Sequence, residues 1–271
     1  MKISIVTISY NQGTFIEEAI LSILSQDYQD FEYIIVDPGS TDGSREVINC
    51  YLDKTSQIKT VFEPDLGPAD GLNKGFRLAS GDIYYVLNAD DKLLPGTLEK
   101  VVNYFKKYPS VDVVSGHALV IDPDGKVLRK VYSDKFSILS YAYGSSIIIQ
   151  PATFFRQSIY AKIHGFNINN FSNWDGELFV DLCLAGAKFG LMNAFLGCYR
   201  IHGQSITGSG KIDTMIRNYH AYIFKKITRR NYILILDSLI FIYFRLRQYV
   251  KNPYNLYERI RYGKIYKRAK I

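Results

Sequence analysis

Short apolar runs, each followed by a polar turn and an amphipathic stretch, recur through the first ninety residues. Residues 3–8 (ISIVTI) are the first run, Asn11-Gln12-Gly13 the first turn and residues 14–26 the first amphipathic helix. The same pattern predicts a strand at 33–37, a turn through Gly39-Ser40-Thr41-Asp42-Gly43 and a helix over 44–54. A third strand follows at 59–63, a turn and helix over 67–79, and a fourth strand at 82–87. Strands separated by single helices read as βαβ units in a mostly parallel sheet. Beyond Pro95 a helix runs to about Lys107, then a strand at 111–121 turns through Asp122-Pro123-Asp124-Gly125 into 127–132, an antiparallel pair. Residues 146–156 read as further strand, which Pro151 limits to an edge or a break. Residues 174–185 are helical by period, 199–202 end another strand, and the Gly-Ser-rich run 203–210 is expected to be mobile.

The last sixty residues differ. Residues 212–248 read as helical, with an apolar stretch from Tyr232 to Phe244 broken by Asp237-Ser238. That stretch is about 13 residues long against the roughly 20 that a membrane span needs. Arg229, Arg230, Arg245 and Arg247 flank it, and a basic end follows over 259–268. A packing helix, a face joining two copies of the chain, or a helix lying on an anionic membrane surface all fit this pattern.

Charge sharpens the division. Residues 211–271 hold 15 Lys and Arg against 3 Asp and Glu, whereas residues 1–210 hold 18 against 23. An acidic body thus carries a basic tail, and any anionic partner falls to the tail. Its basic and tyrosine residues match no nucleic-acid-binding domain, so no nucleic-acid partner is expected. Cys50, Cys183 and Cys198 are odd in number and widely spaced, which fits reduced, mostly buried thiols in the cytoplasm rather than disulfides or a zinc knuckle. Met1-Lys2 leads straight into the first strand, so no signal peptide is expected.

The candidate chemistry lies at the strand ends. Asp37, Asp65 or Asp70, and Asn88-Ala89-Asp90-Asp91 each follow a predicted parallel strand and should meet over one edge of the sheet, where open α/β sheets bind ligands. Ser9-Tyr10-Asn11-Gln12-Gly13 is not a glycine-rich phosphate loop, and no lysine-containing phosphate loop occurs. An acidic crevice of this kind can hold a diphosphate if a divalent cation neutralises it.

Four segments carry a resemblance: residues 3–44, residues 63–91 (EPDLGPADGLNKGFRLASGDIYYVLNADD), WDGELFVDLCLAG and YRIHGQSIT. In order and density they resemble the family 2 glycosyltransferases over residues 1–205. The resemblance implies an α/β GT-A fold: a Rossmann-like, mostly parallel central sheet with a small antiparallel portion, helices on both faces and a C-terminal helical extension. It implies a nucleotide-binding half at 1–91, an acceptor-binding half at 92–210, and the tail at 211–271. By position, Asp37 would accept from the nucleotide base, with Thr7, Ser9 and Tyr10 lining it. Asp65 and Asp70 would lie near the ribose and sugar or else cap the neighbouring helix, and Lys74 would face a phosphate or solvent. Asn88 and Asp90 would contact the ribose–diphosphate side, and Asp90, Asp91 and His202 would hold Mn²⁺ or Mg²⁺, with Asp91 the favoured direct ligand. Asp175 would be the general base. Glu177, about 200° round the helix from it, would support it. Trp174 would pack against a sugar or in the core.

Two departures from the family pattern stand out. Asn88 is neutral where the first acid of D-x-D stands. Asp181 stands where relatives carry arginine, so the acids around the base need another counter-charge. The expected activity is metal-dependent, inverting transfer of a hexose or N-acetylhexosamine from a nucleotide diphosphate, UDP foremost, to a hydroxyl of a glycan or lipid-linked glycan. It would take place in the cytoplasm or peripherally on the cytoplasmic face of a membrane. The contrasting reading is a catalytically silent sugar-nucleotide-binding scaffold.

Overall fold

The computed structural model describes residues 1–203 and 213–263, and of 213–218 the backbone alone. The run 204–210 and the basic residues 264–268 therefore lie outside the described residues. Three βα units and a fourth strand build the first half: β1 (Ile3–Ile8), α1 (Ile16–Leu24), β2 (Phe31–Val36), α2 (Ser44–Leu52), β3 (Ile58–Val61), α3 (Pro68–Arg77) and β4 (Ile83–Val86). A short β5 (Lys92–Leu93) and α4 (Thr97–Lys107) follow, then the hairpin of β6 (Val113–Ile121) and β7 (Val127–Val131). Next come α5 (Ile138–Ala142), β8 (Thr153–Arg156), α6 (Gln157–Tyr160), α7 (Trp174–Leu184) and β9 (Phe189–Arg200). Three tail helices close the chain: α8 (Asp213–Thr228), α9 (Leu234–Lys251) and α10 (Pro253–Tyr262).

All nine strands join one sheet in the order β3-β2-β1-β4-β8-β6-β9-β5, with β7 hydrogen-bonded to β6. Strands β3, β2, β1 and β4 run parallel, while β8, β5 and β7 pair antiparallel with their neighbours. Only 153–156 of the expected 146–156 strand is extended, because Pro151 offers no N–H and sits in a 3-10 turn at Gln150–Ala152.

Alternation along the strands sets the two faces. Ile3, Ile5, Tyr33, Ile35 and Tyr85 pack under α1, α2 and α4. Val6, Ile34, Val36, Tyr84 and Val86 pack against α3 and α7 on the other face. Gly75 lets α3 lie close to the sheet, since a Cβ there would overlap Val6 and come within 3.2 Å of Val36. Of the three free cysteines, Cys198 is buried and Cys183 half-buried, but Cys50 is exposed.

The tail does not form one long helix. A break at 229–233, where Arg229 adopts φ 61°, separates α8 from α9. Helix α8 packs on α5 and α7 through Tyr219 and Ile223, which meet Val180 and Tyr141. Helix α9 docks by polar residues instead. Asp237 is fully buried, accepts from Tyr143 Oη at 2.7 Å and both guanidinium nitrogens of Arg230 at 2.6 Å, and receives the Ile233 N–H at 2.6 Å. Gln248 donates to Asp134 at 2.6 Å. Phe244 stacks on Tyr143 at 5.4 Å, but most of the leucines and isoleucines of α9 face out, so the reading of a packing helix holds for its Asp237–Phe244–Gln248 side only. No helix among the described residues is long and apolar enough to cross a membrane.

Candidate active site

The carboxyl ends of β1, β2, β3 and β4 point the same way, so the loops after them share one edge. Asp37, just past β2, has no exposed surface. Its Oδ1 accepts from Gly39 N at 2.9 Å, Ser40 N at 2.8 Å and Arg45 Nε at 2.9 Å. Burial works against the ionised form, yet the donors of Ser40, Arg45 and Gly39 hold this carboxyl below its usual range. Its Oδ2 is buried with no protein partner, as is Ser9 Oγ nearby on β1's exit. Tyr10, by contrast, is 62% exposed.

Asn11 and Asp42 staple the first two loops together. Asn11 accepts from Thr41 N at 3.0 Å while its own N–H donates to Ser40 Oγ at 2.8 Å. Asp42 receives Gly13 N at 2.8 Å, and a Cβ on Gly13 would come within 2.7 Å of the Asp42 carbonyl. Asn11, expected only as part of a turn, thus ties that turn to the 40–41 loop.

Thr7 corrects one expectation. It is fully buried with its hydroxyl 3.0 Å from Tyr33 Oη, on the core face of β1, and cannot line a base. Asp70 and Lys74 have partners within the protein. Asp70 accepts Leu66 N at 3.0 Å, and Lys74 donates to the Pro64 carbonyl and lies 3.6 Å from Asp70, so both hold the 64–67 loop. Asp65 stands in the same loop, half-buried. Burial and then the nearby Asp70 and Asp37 charges raise its carboxyl, against the Gly67 N–H at 2.9 Å and Lys74, which favour ionisation.

The Asn88–Asp91 turn divides its labour. Asp91 is 1% exposed, accepts the Arg200 backbone N–H at 2.9 Å and the Asn88 amide at 3.1 Å, and is pushed well above the usual carboxylate range by burial and by Asp90. Asn88 is also anchored to Gln150 at 3.0 Å. Asp90 turns outward, with Oδ2 3.0 Å from His202 Nε2 and a side chain 20% exposed. Asp90, not the expected Asp91, is therefore the more open of the two acids, because Asp91 is enclosed and its oxygens are already engaged. Arg200, absent from the sequence reading, fastens the turn. Its guanidinium donates to the Asp90 carbonyl at 2.7 Å, the Pro123 carbonyl at 2.6 Å and Glu18 at 2.9 Å, and stacks 4.9 Å from the Phe15 ring centre. His202 packs on the same Phe15 ring at 4.7 Å.

Asp175 opens α7. Asn73 clamps the preceding segment to α3 by two 2.8 Å hydrogen bonds with Phe166, and Phe171 lies against Gly67. Burial raises the Asp175 carboxyl, only partly offset by the Gly176 N–H and its own. The Tyr141 and Tyr219 hydroxyls, 3.3 Å apart, crowd Gly176 so closely that a Cβ there would clash with both. Glu177 points elsewhere. It is 2% exposed and receives Asn170 at 2.8 Å, Asn167 at 3.1 Å, Tyr222 Oη at 2.8 Å and Lys226 Nζ at 2.9 Å. Lys226 also lies 2.6 Å from Asp181. The counter-charge that Asp181 leaves wanting thus comes from the tail. Trp174 is buried, edge-on to Phe166 at 5.7 Å, so it belongs to the core and not to a sugar platform.

The Glycosyl transferase family 2 profile matches residues 4–164. The chain belongs to this family. An uncharacterised glycosyltransferase of Nostoc sp. is 30% identical over 215 residues, covering 76% of this chain and 66% of that protein. S. aureus TarS 1–349, in complex with UDP-GlcNAc, has a similar fold, with TM-score 0.68 and 17% identity over 98% of this chain and 77% of that one. Mannosyltransferase PcManGT from Pyrobaculum calidifontis, in complex with GDP-Man and Mn²⁺, aligns with TM-score 0.64 and 18% identity over 97% and 76% of the two chains. This glycosyltransferase thus has the GT-A fold with C-terminal helices added.

In the glycosyltransferase, no group of three or more His, Cys, Asp or Glu side chains arranged for a metal occurs among the described residues. Asp90, partly exposed, with the nearly buried His202 beside it still fits a Mn²⁺ or Mg²⁺ site. Such ions are commonly held by one or two protein groups, with substrate phosphates and waters completing the shell.

Proposed function

We propose that the enzyme transfers a hexose or N-acetylhexosamine, with inversion, from a nucleoside diphosphate donor, UDP foremost, to a hydroxyl of a glycan or lipid-linked glycan. The observation that carries this reading is the Asp90–His202 pair, 3.0 Å apart, at the edge where four parallel strands end. Asp90 and His202 would hold the divalent cation, which when bound would offset charge developing on the departing diphosphate. The open Asp37 Oδ2 and Ser9 Oγ would take the hydrogen-bonding edge of the base, since a buried polar atom without a partner is costly unless a ligand supplies one. Exposed Tyr10 would cover the base ring, and Asp65 would face the ribose or the donor sugar. Asp175 would take the proton from the acceptor hydroxyl, and its raised pKa brings its basicity nearer neutral pH. Transfer of this kind would proceed on the cytoplasmic side, where sugar nucleotides are the donors.

The deciding experiment incubates the protein with a panel of nucleotide sugars and Mn²⁺ or Mg²⁺ and measures nucleotide release. Slow, metal-dependent release of UDP from one donor, abolished by Asp90→Ala, is expected. Tight nucleotide-sugar binding without turnover in any acceptor extract would favour the silent scaffold instead.

A further inference from the structure

Helix α9 is amphipathic in the inverse sense for a docked helix: its polar residues seat it and its apolar residues face outward. Ile235, Leu239, Ile242, Leu246 and Val250 recur at helical spacing and are 78, 62, 51, 60 and 81% exposed. Exposed apolar stripes of this length mark interaction surfaces. The charge around the stripe names the partner. Arg247, Lys251, Arg259 and Arg261 are exposed on α9 and α10. The only acids between residues 219 and 263, Asp237 and Glu258, are both buried against the body. Asp237 is matched by Arg230, and Glu258 receives the Lys130 N–H at 3.2 Å beside Arg129. The outer surface of this region is therefore apolar and cationic with no exposed carboxylate. Tyr243, Tyr254 and Tyr257, 60, 63 and 55% exposed, add side chains that suit a boundary between water and hydrocarbon.

The geometry points to an anionic lipid bilayer as the occupant, with α9 lying in the plane of the headgroups, its apolar stripe inward and the basic residues on lipid phosphates. A second copy fits less well, because two such faces would bring their cations together with no exposed acid to meet them. The placement suits a lipid-linked acceptor, since α8 joins α9 to the Asp175 helix through Lys226, but it stands on the tail alone.

The test is co-sedimentation of the full chain with vesicles of phosphatidylcholine alone or with 30% phosphatidylglycerol, at low and high salt, for wild type and two variants. One variant is Ile235→Glu with Leu239→Glu and Leu246→Glu; the other is Arg247→Gln with Lys251→Gln and Arg259→Gln. All six positions are exposed, so circular dichroism and nucleotide release in solution should match wild type. Their loss would indict folding or the proposed catalysis instead of the tail. Wild type should pellet with anionic vesicles and much less with neutral ones. The glutamate variant should lose binding, and the charge variant should weaken it about fivefold per cation removed. Equal pelleting of all three proteins, equal pelleting on neutral vesicles, or a wild-type dimer in sedimentation equilibrium that the glutamate variant splits without any vesicle binding would each overturn the proposal.

Discussion

Lys226→Ala tests how the tail completes the helix that carries Asp175. Lys226 Nζ lies 2.9 Å from Glu177 Oε1 and 2.6 Å from Asp181 Oδ1. A hydrogen bond to a charged group contributes about 1.5–3 kcal/mol. The Glu177 contact belongs in that range because the carboxylate is 2% exposed, whereas Asp181, 25% exposed, contributes less through solvent screening. Glu177 keeps Asn167, Asn170 and Tyr222 as donors, so its charge is not stranded outright. The expected loss is about 2–3 kcal/mol, enough to lower the unfolding midpoint by roughly 4–10 °C. Urea unfolding followed by the emission of Trp174, the only tryptophan and the first residue of α7, measures it directly. A cycle with Glu177→Gln should show coupling of about 1–2 kcal/mol. The sign with pH follows from Glu177. Burial opposes its charge, but Lys226, Asn170 and Tyr222 hold its pKa below 4.5, so the bridge stabilises above that pH and fades as pH falls below it. The difference between wild type and Lys226→Ala should therefore shrink in acid. A loss under about 0.5 kcal/mol, or strict additivity in the cycle, would refute the idea that the tail supplies the missing cation.

Other outcomes follow from the same geometry. Asp175→Asn should lower transfer by about 10²–10⁴-fold with little change in donor binding, and the wild-type rate should fall on the acid side at a pH above the ordinary aspartate range, as kcat profiles would reveal. Asp90→Ala should abolish metal-stimulated nucleotide release while changing stability by less than about 1 kcal/mol, whereas Asp91→Ala should cost about 1–3 kcal/mol because it frees the Arg200 N–H and the Asn88 amide; paired denaturation and activity curves separate the two. Glu32, 3% exposed, has burial against it but is held down to about 2 by Lys59, Ser4 and Ser80. Its contribution should be complete above pH 4.5 and disappear between pH 4.5 and 2, so Glu32→Gln should destabilise at neutral pH and converge with wild type in acid, read by urea titrations at several pH values.

Much of the first half was legible because each strand alternates and each turn carries its own glycine or asparagine. The same alternation already held the answer for Thr7, which shares a face with Ile3 and Ile5 and so had to point into the core. Other features depend on distant partners. Which of Asp90 and Asp91 faces outward is decided by a backbone N–H from Arg200, 109 positions away. The cation for Glu177 and Asp181 arrives from α8, and no local spacing announces it. Strand β9 is legible only at its end, since its middle is half-buried and it carries Gly190 and Gly197. In α9 the apolar residues drew attention while the seating was done by Asp237, the residue that interrupted their run.

Helix α10 lies along β7, whose strand partner among the described residues is β6. Asn255 bonds both the N–H and the carbonyl of Tyr132, and Glu258 receives the Lys130 N–H. The change of charge at residue 210 looks like a place to cut, but the polypeptide beyond it shields a sheet margin that would otherwise recruit strands from other molecules. A protein shortened there would be prone to self-association through β7 even where its catalytic groups are intact, and screening for soluble, active material should keep α10.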